Sequence, residues 1–281
     1  MPTITIRTMT PADVPAGMRL KQQANWNQIP ADWTRFLQTN PEGCFLAERD
    51  GYPVGTTCTW TFGPVAWVAM VLVDPQCRGQ GIGTQLMQHA LQYLDAQGVA
   101  TIRLDATHLG RPIYEKLGFQ VDYELARIEG CLATCPQPDA VQPLQADLLD
   151  SLCHLDFQVT GTDRRPLLES LWRHWPQAAY VRLHQGSLRG FAFCRAGSRA
   201  VQIGPIAACD PEAGRALGDA ALAAAADQRV YVDVPLANQP AMAWATAYGL
   251  TEQRRFVRMW RGELVTDRQD QLWTSSGPEL G

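Results

Sequence analysis

The chain has 281 residues, 46% of them hydrophobic and 19% charged, with a net charge of −4. That composition supplies globular cores for about two ordinary domains. The mild acidity excludes a general nucleic-acid binder and leaves no strong attraction to a membrane surface. No basic-then-apolar leader opens the sequence, and no apolar run approaches the roughly 20 residues that cross a bilayer, so a cytoplasmic location is expected. Eight cysteines are scattered. Only Cys131 and Cys135 are near neighbours, without a second pair or adjacent histidines. Free thiols and no metal are therefore expected.

In chain order, "TITIRTM" alternates as a strand does, and "TPADVPAGMRLKQQA" predicts a helix opened by Thr10 and Pro11. "ADWTRFLQTN" predicts a second helix, and "CFLAERDGYPVGTTCTWTF" a hairpin turning at Asp50-Gly51. "AWVAMVLVDP" is a long apolar strand stopped by Pro75, the pattern of a buried central strand. The stretch "PQCRGQGIGTQ" then packs Gly79, Gly81 and Gly83 behind Arg78. In the next helix Ile82, Leu86, Met87, Ala90, Leu91 and Leu94 keep a helical period up to Gly98. "ATIRLDA" predicts a strand, "GRPIYEKLG" a short helix, and "FQVDYELA" a half-buried strand.

The pattern then recurs. Gly51 and Gly55 are matched 135 residues later by Gly186 and Gly190, and Asp74-Pro75 is matched 136 later by Asp210-Pro211. "YVDVP" echoes "IRLDAT", and the Gly118 and Gly130 positions reappear as Gly249 and Gly262. Offsets this steady predict a duplicated fold. The expected division is a first domain over 1–130, a linker over 131–139 carrying "CPQPD", a second domain over 140–265, and a tail over 266–281 whose order the sequence leaves open.

A strand, a glycine-rich turn and a helix make a general phosphate site, because the helix N-terminus offers unpaired N–H groups and a favourable dipole. A triphosphate loop would need Lys then Ser/Thr after its final glycine, whereas Thr84 and Gln85 follow Gly83. A dinucleotide fingerprint begins with Gly79-x-Gly81 and would use Asp105 on a ribose, but its third glycine would fall on Thr84. A purely structural turn is the remaining alternative.

"VLVDPQCRGQGIGTQL" together with "RPIYEKLGF" resembles the GNAT acyl-CoA N-acyltransferases. Their loop, Gln/Arg-x-x-Gly-x-Gly/Ala, is met by Arg78, Gly81 and Gly83, and their tyrosine four residues before Gly-Phe is met by Tyr114 before Gly118-Phe119. The resemblance covers residues 3–129, and the whole chain resembles the tandem subgroup with a degenerate second copy. It implies an α/β (α+β) fold of two tandem domains, each a mixed, mostly antiparallel twisted sheet flanked by helices. It implies acetyl-CoA as co-substrate and no metal. Its diphosphate is expected on Arg78 and the backbone of Gly79, Gln80, Gly81, Ile82, Gly83 and Thr84, with its pantetheine arm along Val71, Leu72 and Val73.

Transfer to an amine poses two proton problems. An amine of pKa about 10.4 is neutral in only about one molecule in 2500 at pH 7, and the departing thiolate gains from a proton. Tyr114 is the expected general acid, with core packing of its ring as the alternative. Asp105, His108 or water is the candidate base, with a cap hydrogen bond after the strand as the alternative for Asp105 and a solvated loop position for His108. Thr107 stands where many relatives carry a coenzyme-contacting asparagine. The second copy reads "DPEAGRALGDAAL" at its loop and has Ala245 where the tyrosine belongs, so it is expected neither to bind coenzyme A nor to catalyse, but to shape the acceptor pocket or stabilise an assembly, with a spacer away from substrate as the alternative. Trp26, Asn27, Gln28, Trp33 and Trp67 are candidates for the acceptor wall, with core packing as the alternative for the tryptophans, and Asp163 is a candidate for an amine contact across the interdomain cleft, with a solvated loop as its alternative. The expected activity is direct acetyl transfer to a primary amine of a small molecule, without a covalent enzyme intermediate. The rival is a non-catalytic acyl-CoA sensor. No nucleic-acid or membrane partner is expected, and the oligomeric state is left open, a homodimer included.

Overall fold

The computed structural model describes residues 4–132 and 140–281; Cys135 and most of the expected linker fall outside them. The chain passes twice through one order of elements. The first pass is β1 (Ile4–Thr8), α1 (Val14–Gln23), α2 (Pro30–Thr39), β2 (Cys44–Arg49), β3 (Tyr52–Phe62), β4 (Val65–Val73), α3 (Ile82–Ala96), β5 (Thr101–Ala106), α4 (Arg111–Lys116) and β6 (Gln120–Cys131). The second is β7 (Gln142–Pro143), α5 (Leu149–Thr160), α6 (Arg165–His174), β8 (Ala179–His184), β9 (Ser187–Arg195), β10 (Val201–Ala208), α7 (Pro211–Ala224), β11 (Arg229–Pro235), α8 (Gln239–Ala247) and β12 (Thr251–Gly262), after which β13 (Leu272–Thr274) is added.

The two mixed sheets join into one of 13 strands among the described residues, twelve of them ordered β1-β2-β3-β4-β5-β12-β6-β11-β10-β9-β8-β7, with β13 off this path beside β10. The order maps onto itself when the halves are interchanged. At its centre the halves trade strands: β12 pairs antiparallel with β5 and β6, and β6 pairs antiparallel with β11 and β12. Neither half closes its own sheet. The apolar alternation of "FQVDYELA" would suit a partner from either half, because side-chain period fixes which face is buried and not which strand lies alongside.

Helices α1, α2, α5 and α6 share one core, in which Trp33, Phe36, Leu152, Leu168 and Phe191 are buried together. On the other face α3 packs with Ile102, Leu104 and Phe119, and α7 with Ile203, Val232 and Trp244. The six apolar positions predicted for α3 are all buried.

Two charge clusters fasten the exchanged strands. Arg258 on β12 forks onto Asp105 of β5 at 2.9 and 3.0 Å, and Arg127 on β6 forks onto Asp233 of β11 at 2.8 and 2.7 Å. All four are buried, and they occupy corresponding places in the two halves. Asp267 adds a third tie: it accepts from both Nη atoms of Arg103 at 2.8 and 2.9 Å, from Arg258 Nη1 at 2.8 Å, and from the Tyr123 hydroxyl. Those donors hold its carboxyl well below the ordinary range, against the opposing effect of burial.

Segment 266–281, whose order the sequence left open, is folded. Strand β13 pairs with β10, and Trp273 and Leu280 are buried. The polar run "TDRQDQ" gives no local sign of this, since Asp267 is drawn inside by Arg258 of β12 and by Arg103, 164 residues away.

Candidate active site

The site starts from the way β4 and β5 part. They pair in parallel only over Val65, Ala66 and Trp67, opposite Thr101, Ile102 and Arg103. Beyond that point the ladder ends, and Val68 to Val73 line a cleft of about 1270 Å³ together with Leu104 and Asp105. On the opposite edge β4 carries a bulge against β3, with Met70 in a left-handed conformation at φ 53°. The Thr56 hydroxyl pins it by donating to the Met70 carbonyl at 2.8 Å. A bulge bends its strand and re-aims the residues that follow, here Val71, Leu72 and Val73, all of which line the cleft.

The chain then turns through the glycine loop. Asp74 accepts the Gln76 N–H at 3.1 Å, and Arg78 Nε donates back to the Val73 carbonyl at 3.2 Å. Gly79 and Gly81 have φ of 74° and 78°, values that L side chains avoid. Gly81 is the N-cap of α3 and offers no side chain to cap it, so the first-turn N–H groups have no side-chain partner there. Gly83 is different: a Cβ there would meet only Val73 Cγ2, at an ordinary 3.5 Å. The protein's own packing does not require that glycine, which leaves room beside the helix terminus. Arg78, Gly79, Gly81, Ile82, Gly83 and Thr84 line the cleft; Gln80 is exposed beside it and does not. The Ile82 side chain is itself buried in the core beneath the loop.

Tyr114 lies on α4 and lines the same cleft. Thr107 organises the approach, its hydroxyl accepting the Gly110 N–H at 3.3 Å. The Tyr114 ring meets Phe119 edge-on at 6.1 Å, so it serves the core as well as the cleft. It passes so close to Gly110 that a Cβ there would be 2.9 Å from its Cε2 atom. Burial pushes the Tyr114 phenol up to about 12, which keeps it protonated.

Several other candidates have different employment. Both Asp105 oxygens are committed to the Arg258 fork, which makes Asp105 a fastening for β12 rather than a free base. Asn27 lines the cleft but spends its amide on the second half, accepting from the Arg199 and Ala200 N–H groups at 3.0 and 3.1 Å and donating to the Ala200 carbonyl at 3.0 Å. Trp33 is fully buried in the shared core. Trp67 is buried too: its indole donates to the Pro278 carbonyl at 3.2 Å, and Arg258 stacks on it at 4.9 Å. Asp163 is exposed and accepts the Arg165 N–H at 3.2 Å, a turn contact away from the cleft. Trp26, Gln28, Thr107 and His108 do line it.

The opposite wall comes from residues the sequence did not single out: Arg127 on β6, Arg254 and Phe256 on β12, and Glu279. The first three arrive because β12 lies between β5 and β6. The only trace in the sequence is the repeat itself, in which "RMWRG" echoes the end of β6.

The second half has the same groove and fills it. Strands β10 and β11 pair only over Val201, Gln202 and Ile203 and then part. Into the gap comes β13: Thr274 pairs with Ile206 of β10, and the Ser275 N–H reaches the Asp233 carbonyl of β11 at 2.8 Å. Trp273 presses on α7 at Gly214, where a Cβ would be 2.2 Å from its ring. Helix α7 is capped by Asp210, which accepts the Ala213 N–H at 2.8 Å. A carboxylate thus occupies the place that Gly81 leaves open in the first half.

Comparison with known proteins agrees with this geometry. A model of the "Acetyltransferase (GNAT) family" matches residues 15–119, and a second model, "Acetyltransferase (GNAT) domain", matches residues 152–274. Holothin acyltransferase of Pseudoalteromonas sp. (strain SANK 73390) is 25% identical over 263 residues, covering 91% of this chain and 87% of that protein. Mycothiol acetyltransferase of Thermomonospora curvata is 35% identical over 130 residues, covering 41% of this chain and 44% of that protein. Among solved structures, a candidate acetyltransferase of Pyrococcus horikoshii superposes with a TM-score of 0.86 at 23% identity, over 99% of this chain and 96% of its own, a likeness that carries the fold.

Proposed function

Since the chain belongs to the GNAT acetyltransferases, with two such domains in tandem, we propose that its first half transfers an acetyl group from acetyl-CoA to a primary amine of a small molecule. The observation that carries this reading is one of coincidence in space. The parted β4, the uncapped start of α3, Arg78 and the Tyr114 phenol all line a single cleft. The equivalent groove of the second half is filled by the chain itself.

The residues present fit acetyl-CoA. Arg78 has no carboxylate partner among the described residues, the α3 terminus is open, and the space at Gly83 is unclaimed. Arg78 and the N–H groups of residues 79–84 would hold the diphosphate. The free edge of Val71, Leu72 and Val73 would hold the pantetheine amides as a neighbouring strand would. Acetyl-CoA supplies an activated thioester. The acceptor nitrogen attacks its carbonyl carbon, the carbon–sulfur bond breaks, and Tyr114 gives its hydroxyl proton to the departing sulfur. Its raised pKa keeps that proton in place at neutral pH. The acceptor proton passes to water or to His108, since Asp105 is committed elsewhere.

The intact phenol beside the loop favours an enzyme over a sensor, which would have no use for it. Thiol release from acetyl-CoA, measured with a panel of small amines, tests the reading. Amine-dependent release supports it; binding of acetyl-CoA without such release, for every amine, overturns it.

A further inference from the structure

The cleft is lined by three polar side chains that lack a full set of partners among the described residues. Glu279 is 3% exposed; its Oε1 is bonded by Arg195, and its Oε2 has no partner. Gln28 is also 3% exposed, and its Oε1 has no partner. Both residues line the cleft. A buried acceptor without a donor is destabilising, so two such side chains on one cleft favour a ligand whose N–H groups they can turn to meet.

The third group is cationic. Arg254 is half-buried and lines the same cleft. Its Nε donates to the Gln253 side chain at 3.0 Å, and it has no carboxylate partner among the described residues. Burial and the charges of Arg127 and Arg199 all disfavour its charged form. Arg127 is neutralised by its fork onto Asp233, whereas Arg254 has no such counter-ion. A partly desolvated guanidinium next to like charges favours an anion, which it binds through two N–H groups at once.

We propose that the acceptor is an amine bearing an anionic group, its amino group received by Glu279 and Gln28 and its anion by Arg254. This rests on the acetyl-transfer reading above and narrows it to a substrate class. Carboxylates and phosphates share the required chemistry. The lining belongs jointly to both halves: Gln28 comes from the first, Arg254 and Glu279 from the second.

The test is a set of matched pairs on the full chain: γ-aminobutyrate against butylamine for the carboxylate, and phosphoethanolamine against ethanolamine for the phosphate. Thiol release gives kcat/KM, and calorimetry in the presence of coenzyme A gives affinity independently of turnover. At least a tenfold advantage for the anionic member of a pair is expected, and the pair that shows it identifies the anion. Arg254→Gln should erase that advantage, while Glu279→Gln should raise KM for both members alike. An anionic preference in affinity without turnover would support this inference and defeat acetyl transfer. Equal behaviour within both pairs, or an advantage that survives Arg254→Gln, overturns it.

Discussion

Arg258 on β12 closes a two-pronged ion pair on Asp105 of β5, Nε to Oδ1 at 2.9 Å and Nη2 to Oδ2 at 3.0 Å, across 153 residues of sequence. Each partner is only 2% exposed. Removing one side of such a pair leaves the other charge buried and uncompensated. Arg258→Leu is expected to cost about 3–5 kcal/mol of unfolding free energy. Arg111→Ala, which breaks the exposed pair with Glu115, is expected to cost at most about 0.5 kcal/mol. Equilibrium denaturation of both variants checks the contrast; similar losses would show that the fork does not fasten β12.

The glycines of the loop separate two roles. At Gly83 a Cβ meets only ordinary contact, so Gly83→Ala is expected to fold normally yet raise the KM for acetyl-CoA about tenfold, a loss of about 1.4 kcal/mol. At Gly81, φ is 78°, so Gly81→Ala is expected to cost about 1–2 kcal/mol of stability. Kinetics and thermal unfolding of the two variants distinguish ligand room from backbone need.

Tyr114→Phe is expected to lower kcat by about 10²–10³ with little change in KM. A phenol raised to about 12 stays protonated as pH climbs past the ordinary tyrosine range. No alkaline fall in kcat below about pH 10 is therefore expected from Tyr114. A fall near pH 9 that disappears in Tyr114→Phe would contradict the neutral donor.

Gly110 sits under that ring at a backbone conformation open to any residue, φ −81° and ψ −33°. Gly110→Ala should move the ring, because its Cβ would be 2.9 Å from Tyr114 Cε2. A drop in kcat smaller than that of Tyr114→Phe, with unchanged KM for acetyl-CoA, is the expected signature of positioning.

Residues 1–131 alone lack β12, which separates β5 from β6 in the sheet. That fragment is expected to show no cooperative thermal transition, and co-expression with residues 140–281 is expected to restore one. A fragment that unfolds cooperatively and turns over acceptor would show that the exchange is dispensable.

What the sequence made legible was local. The apolar period of α3, the glycines of the loop and the pause at Pro75 record themselves within a few residues of where they act. The duplication was visible because turns keep their glycines. The exchange of β6 and β12 was not, since either strand would present the same faces to either neighbour. Asp105 looked like a base because its ion-pair partner is 153 residues away. The order of 266–281 stayed open because the arginines that bury Glu279 and Asp267 come from other strands. Wall and core stayed open for Trp33 and Trp67, because an aromatic side chain suits a pocket as well as a core.

The exchanged strands also set an order in time. On the ribosome β5 and β6 are made well before residues 251–281, which supply the strand between them and, with Arg127 of β6, the far wall of the cleft. Through that interval the growing chain holds an open seam along the edges of both strands. Translation must run past β12 before the first half can finish folding, and a product released earlier is left with that seam exposed.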